Sequence, residues 1–175
     1  PEPQEYGRLV AETLGDLECE FLFEPGRFIV GNAGILVTKV VYVKQGATRK
    51  FVIVDAAMND LLRPSLYDAH HEIVPLLTPA QGEPVSSADV VGPVCETGDT
   101  FATELTLPHL KAGDALAVRS AGAYGAVMAS TYNSRALVPE VMVNGKDFAV
   151  IRRRVTTEAC LDYEDMPDWL EGGEG

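Results

Sequence analysis

The apolar positions change period along the chain. Over residues 6–14, Leu9, Val10, Thr13 and Leu14 share one face at helical spacing, and Gly15 stands where a helix commonly stops. Cys19-Glu20-Phe21-Leu22-Phe23 mixes aromatics with an alternating acid and reads as a strand, which Pro25-Gly26 turns sharply at its end. From Ile35 to Val43 β-branched residues dominate, Lys44 to Thr48 is a turn signal, and Lys50 to Val54 is apolar again, so this stretch predicts a hairpin. Asp55 to His71 is helical and polar in texture, with Asn59 or Asp60 as caps and Pro64 at a first helical position. Thr78 to Asp89 reads as loop and strand edge, Val90 to Val94 as a short buried strand, and Ala115 to Arg119 as a further strand after a turn bracketed by Leu107-Pro108 and Gly113-Asp114. Val138–Val143 and Lys146–Ile151, joined by Asn144-Gly145, predict a second hairpin with a type I′ turn. The sum is mainly antiparallel β.

Composition narrows the function. The 175 residues are 46% hydrophobic and 23% charged, ordinary for a packed globular domain. A formal net charge of −12 disfavours binding to nucleic acid or an anionic membrane, since both need a basic face, and Arg152-Arg153-Arg154 reads as the solvated end of a strand. No apolar run approaches the ~20 residues of a membrane helix, so no membrane partner is expected and the compartment expected is the cytoplasm. Cys19, Cys95 and Cys160 have neither disulfide-framework nor metal-ligand spacing, and no metal site is expected. The chain begins at Pro1 rather than Met, which reads as a processed or trimmed start.

Four clusters carry candidate chemistry. Glu24-Pro25-Gly26-Arg27 holds a carboxylate and a guanidinium at a strand end, where loops converge on a rigid scaffold; a plain turn with a surface ion pair explains it as well. Arg63 and Tyr67 stand four apart across a helix start, so both can face a carboxylate, or else they are a helix-end arginine and a packed tyrosine. His70 and His71 are adjacent and point apart, which is no metal pair. Gly92 to Asp99 sets Cys95 and Glu96 in a glycine-framed loop, suited to proton donation to a carbanion and to ammonium binding, or simply to a buried thiol beside a turn. In Ala121-Gly122-Ala123-Tyr124-Gly125-Ala126 one phenol stands among residues with almost no side chain, which lets a ligand approach the backbone or strands pack closely.

In their order and spacing these clusters resemble the diaminopimelate decarboxylases, pyridoxal-phosphate enzymes of lysine biosynthesis in the alanine-racemase-like fold group. The matching pieces are Glu24 to Arg27, Met58 to Tyr67, Gly92 to Asp99, and Gly122 to Gly125 followed by Tyr132-Asn133-Ser134-Arg135. The resemblance runs from about residue 6 to about residue 155 and implies an antiparallel β-sandwich or barrel-like C-terminal domain. Residues 1–34 would be the last helix and strand of a (β/α)8 barrel with the Glu-Pro-Gly-Arg loop, 35–160 the β domain, and 161–175 an acidic tail that packs partly and frays.

The resemblance also implies roles. Glu24 would pair with the pyridine nitrogen of pyridoxal 5′-phosphate, with Pro25, Gly26, Arg27 and Tyr124 also at the cofactor. Arg27, Arg63, Tyr67, Glu96 and Tyr124 would bind an amino-acid substrate, and Cys95 would protonate the decarboxylated carbon. Cys95 and Glu96 would serve the partner's site in a homodimer. The barrel that supplies the cofactor's lysine, a ring-stacking histidine and a phosphate loop has no counterpart here, and none of the five lysines stands in a matching motif. The chain therefore reads as an incomplete lyase, inactive without the barrel. The alternatives are a decarboxylase of ornithine, arginine or carboxynorspermidine, or a non-catalytic binding or regulatory protein built on the β domain.

Overall fold

The computed structural model describes residues 2–80 and 82–171. Six strands form one barrel-like sheet: β1 (Leu36–Gln45), β2 (Lys50–Val54), β3 (Ile73–Pro75), β4 (Val85–Val91), β5 (Thr100–Pro108) and β6 (Ala115–Val118). Their order is β3-β6-β1-β2-β4-β5. The predicted hairpin of β1 and β2 is present, and alternation along β1 buries Thr38 and Val40 while Val37 and Val41 face out. Val40, Val52, Val54, Val90, Leu116 and Val118 form the centre of the core, closed by Leu61, Phe101 and Leu107.

The sheet is mixed rather than purely antiparallel, because β2 and β4 run parallel. A parallel pair needs a long crossover, and residues 55–84 supply it, carrying the short helix α2 (Arg63–Tyr67). The helical texture of residues 55–71 thus yields only that one turn and a half, with Pro64 in its first turn as expected. Asn59 and Asp60 are not its caps: both are buried, and Leu62 takes the cap position. Strand β4 starts and ends earlier than expected, leaving Gly92–Asp99 as a loop. Strand β5 escapes an alternation reading because Glu104, at φ +54°, bulges it against β4 and breaks the period of two. The Glu104 amide donates to the buried Asp89 carboxylate instead, at 2.8 Å.

At the N-terminus the helix is present as α1 (Pro3–Leu14), with the Gly15 amide closing its last turn on Ala11. The expected strand at Cys19–Phe23 is not. Residues 20–24 donate no backbone hydrogen bond to any described residue, since no neighbouring strand faces them. The segment folds back on the helix, the Phe23 ring meeting Tyr6 edge-on at 6.3 Å, and Leu22 is left 89% exposed. The second hairpin, β7 (Glu140–Asn144) with β8 (Asp147–Arg152), pairs Asn144 with Asp147. Its turn is therefore Gly145-Lys146, and with positive φ at Gly145 alone (+62°) it follows the type II′ pattern rather than I′. The tail forms two short helices, α3 (Thr157–Leu161) and α4 (Asp168–Glu171), with Trp169 exposed; the fraying expected beyond falls on residues 172–175, outside the described residues.

His71, only 2% exposed, locks the start of β3 to the end of β6 by donating from Nδ1 to the Arg119 carbonyl at 2.9 Å. His70 beside it is exposed. Burial holds the His71 imidazole below its ordinary 6.5, with the Arg63 and Arg27 charges adding to the effect against the opposing pull of the carbonyl. The folded-state value is depressed, so stability is full above pH 6.5 and is lost as pH falls through the folded value. Unfolding free energy measured from pH 7.5 downward should decline from about 6.5, and His71→Asn should flatten that decline relative to wild type.

Candidate active site

The site begins where β2 ends. Asp55 turns back on β1, accepting from Thr38 Oγ1 at 2.7 Å and from the Lys39 amide at 2.8 Å, while the Ala56 amide donates to Thr38 Oγ1. The chain then enters a buried polar turn. The Asp60 carboxylate accepts from the Ala57 amide at 2.9 Å and lies 3.6 Å from Arg135 Nη2. Asn59 donates to the Ser130 carbonyl at 3.0 Å and accepts from Arg135 Nε at 2.8 Å, and Arg135 also donates to the Asp55 carbonyl. The loop after β6 is thereby tied to the segment before α2.

The loop of residues 92–99 is folded around its own last residue. The buried Asp99 carboxylate accepts from the Val94 amide and from the Met58 amide, both at 2.7 Å. Burial pushes the Asp99 and Asp60 carboxyls above their ordinary range, while these amides pull them down. Gly92 is required here, since a Cβ would lie 2.2 Å from the Asp99 carboxylate. The result presents Cys95 and Glu96 at the surface; the buried-thiol alternative does not apply, as Cys95 is exposed.

The predicted residues fall into two groups. Arg63 sits over the Tyr67 ring at 5.6 Å and the Tyr124 ring at 6.0 Å, so the two tyrosines bracket one guanidinium. Among the described residues no carboxylate pairs with Arg63, and its Nε is buried without a partner. Glu96 is in the second group, lining an open pocket of about 340 Å³ with Met58, Asn59, Leu62, Ser130 and Tyr132. Tyr132 Oη donates to Glu96 Oε2 at 2.6 Å, and this bond and the carboxylate charge hold the phenol above its ordinary 10. No hydrogen bond or ion pair between described side chains joins the two groups. Tyr132 was legible only as part of a motif, because a tyrosine in a polar loop carries no periodic signal.

Glu24 and Arg27 lie on the exposed turn that Pro25-Gly26 makes, with Gly26 at φ +57° and the Phe28 amide returning to the Pro25 carbonyl at 3.2 Å. They form no ion pair with each other among the described residues, so the plain surface-pair alternative fails. The residues that follow this turn, 30–34, meet the Tyr124 loop. The Gly122 amide donates to the Gly31 carbonyl at 3.0 Å and the Ala121 amide to the Gly34 carbonyl at 2.9 Å. A Cβ on Gly122 would stand 2.0 Å from the Val30 carbonyl oxygen. The small residues at 121–126 therefore serve backbone contact between loops rather than between strands, and they set Tyr124 at φ +54° beside Arg63.

The family model described as the C-terminal sheet domain of pyridoxal-dependent decarboxylases matches residues 21–122. The chain belongs to this family. Diaminopimelate decarboxylase of Zymomonas mobilis is 50% identical over 173 residues, covering 97% of this chain and 40% of the relative. The Helicobacter pylori (strain J99) enzyme of the same name is 45% identical over 171 residues, covering 98% and 41%. Among solved structures, one from Aquifex aeolicus superposes with a TM-score of 0.84 at 42% identity, and the Helicobacter pylori diaminopimelate decarboxylase complexed with L-lysine with 0.81 at 42%; each covers 93% of this chain and 40% of the other. The chain thus spans about two-fifths of the length of the curated relatives it matches.

The family's sheet domain takes in the six-stranded sheet, the segment of residues 55–67 and the loop of residues 92–99. Its contact with the 30–34 segment gives a direct test of how the Glu24–Arg27 turn is held. Gly122→Ala should displace that segment: amide exchange at residues 121 and 122, whose amides donate across the contact, should accelerate at least about tenfold, the loss expected for contacts of ~1.5 kcal/mol, while the β1–β2 amides keep their protection.

Proposed function

We propose that this chain is the C-terminal part of a diaminopimelate decarboxylase that converts meso-2,6-diaminopimelate to L-lysine and carbon dioxide. The observation that carries the reading is the unpaired Arg63 guanidinium bracketed by Tyr67 and Tyr124. A half-buried cation with no counter-ion among the described residues, held beside two aromatic rings, suits a ligand carboxylate remote from the reacting centre. Substrates such as ornithine or arginine, once oriented by their own α-carboxylate, offer no second carboxylate for it. That L-lysine is complexed to the Helicobacter pylori relative supports an amino-acid ligand here.

The residues present fit pyridoxal phosphate in part. Glu24 and Arg27 are exposed and unpaired among the described residues, a carboxylate suited to a ring nitrogen and a cation suited to a phosphate or carboxylate. Pro25 and Gly26 shape their turn, and Tyr124 lies beside Arg63. The cofactor, when bound, supplies the electron sink for loss of carbon dioxide. Its lysine is not among the five here, which lie on β1 and β2, at Lys111 and in the hairpin turn at Lys146. Residues 1–34 then end a barrel, 35–160 form the sheet domain, and the lysine and most of the cofactor's cradle come from the barrel.

In this reading Arg63 and Tyr67 bind the distal carboxylate, Glu96 binds the distal ammonium, and the Cys95 thiol delivers a proton to the carbon that has lost carbon dioxide. In the same reading Cys95 and Glu96, which no hydrogen bond or ion pair between described side chains joins to the Arg63 cluster, serve a partner's site in a cytoplasmic homodimer. In the enzyme of the full reading frame, Arg63→Ala should lower kcat/KM for meso-diaminopimelate by about 10²–10³-fold, as expected for a charge left without its partner. Turnover of ornithine or arginine in preference to diaminopimelate would overturn the substrate assignment. Cys95→Ala should retain the cofactor's absorbance yet slow turnover by about 10²–10⁴-fold. Mixing it with subunits lacking the cofactor lysine should restore activity; a mixture no more active than either variant, with subunit exchange confirmed, would refute the shared site.

A further inference from the structure

Glu96 is an exposed carboxylate at the rim of a pocket of about 340 Å³, and among the described residues no cation pairs with it. An exposed glutamate ordinarily samples many rotamers, and ordering it on a ligand costs side-chain entropy. Here one of its oxygens is already engaged. Tyr132 Oη donates to Oε2 at 2.6 Å, the short distance of a charge-assisted bond, and Oε1 accepts no hydrogen bond from the described residues.

The tyrosine is itself held from several directions. Residues 130–135 are pinned by the Asn59–Ser130 pair of bonds, by Arg135 on Asn59 and Asp55, and by Thr157 Oγ1 on the Ser134 carbonyl at 3.2 Å. The two residues after Tyr132, Asn133 and Ser134, both adopt left-handed backbone (φ +60° and +55°), a conformation that persists only where neighbours enforce it. Yet Tyr132 is half exposed, and among the described residues its phenol makes this one hydrogen bond. A tyrosine kept for stability would bury its ring. This one spends an enforced loop on aiming a hydroxyl at one carboxylate.

We propose that Tyr132 is a positioning residue that presets Glu96 to receive the distal ammonium group of the amino-acid substrate, and so contributes to selection of a substrate with an amino group at that end. The inference rests on the decarboxylase reading above and deepens it. With Oε2 fixed by the phenol, Oε1 is the oxygen left to meet an ammonium in the pocket. The Met58 and Leu62 side chains lining the pocket suit the methylenes of the same ligand.

The test uses the full-length holoenzyme and two inhibitors that differ only at the group in question: L-lysine, which carries both a carboxylate and an ammonium at that end, and 6-aminohexanoate, which lacks that ammonium. The wild-type enzyme should bind L-lysine more tightly. Tyr132→Phe should weaken L-lysine and raise the KM for meso-diaminopimelate by roughly tenfold, the lower range for a hydrogen bond to a charged group. It should leave 6-aminohexanoate binding and kcat within about threefold. Equal weakening of both inhibitors would make Tyr132 a purely structural anchor and overturn the inference, as would a variant that keeps the full preference for L-lysine. A wild-type holoenzyme that neither decarboxylates diaminopimelate nor binds L-lysine would instead defeat the decarboxylase reading, a failure distinguishable from the other two.

Discussion

Everything at the functional end of this domain hangs on the buried polar turn at residues 55–62. It leaves the sheet at the end of β2, anchored by Asp55 on β1, and each of its next residues holds a different part of the site. The Met58 amide engages Asp99 and with it the Cys95–Glu96 loop. Asn59 and Asp60 engage Arg135 and the Tyr132 loop. Arg63 follows at the head of α2. A buried carboxylate is costly unless its oxygens are satisfied, and both Asp60 and Asp99 are paired with backbone amides of this turn or of the loop they organise. The cost of burying them is offset by a geometry that flexible surface loops would otherwise not hold.

A second, weaker tether works from the other side. The glycine contacts between residues 31–34 and 121–122 bring the Glu24–Arg27 turn toward Tyr124 and Arg63. Here the tie is backbone to backbone, and the N-terminal residues around it bury almost nothing: α1 contains no buried residue, and Phe28, Ile29 and Val30 are exposed. Rigidity is therefore unequal across the site. The Arg63 and Glu96 groups are fixed by the sheet and its polar turn, whereas the Glu24–Arg27 turn depends on a few amide bonds.

How much of this was legible in the sequence follows from which forces set each part. The pattern of β-branched and apolar runs between turn signals found β1, β2, β6 and the second hairpin. It failed for β5, where the Glu104 bulge breaks the period, and for Cys19–Phe23, whose strand pattern finds no hydrogen-bonding neighbour. The site clusters were legible as motifs, and Arg63 and Tyr67 were rightly placed on one face by their spacing. Asn59 and Asp60 were misread as helix caps, since their composition is the same whether the carboxylate meets an amide at a helix start or Arg135, 75 residues further along the chain from Asp60. Long-range polar pairing leaves no local signature, so Tyr132 and Asp99 gained their meaning only from the fold.

The most direct measurement of the central claim is hydrogen exchange on Arg135→Ala, because Arg135 touches the 55–62 turn at Asn59, Asp60 and the Asp55 carbonyl. If that turn is the common support, protection should fall together at residues 57–62 and 130–135, with a smaller fall at 92–99 passed through the Met58–Asp99 bond, while β1, β2 and β4 stay protected. A loss confined to residues 132–135 would contradict the account, for it would mean that each loop holds its own shape without the turn.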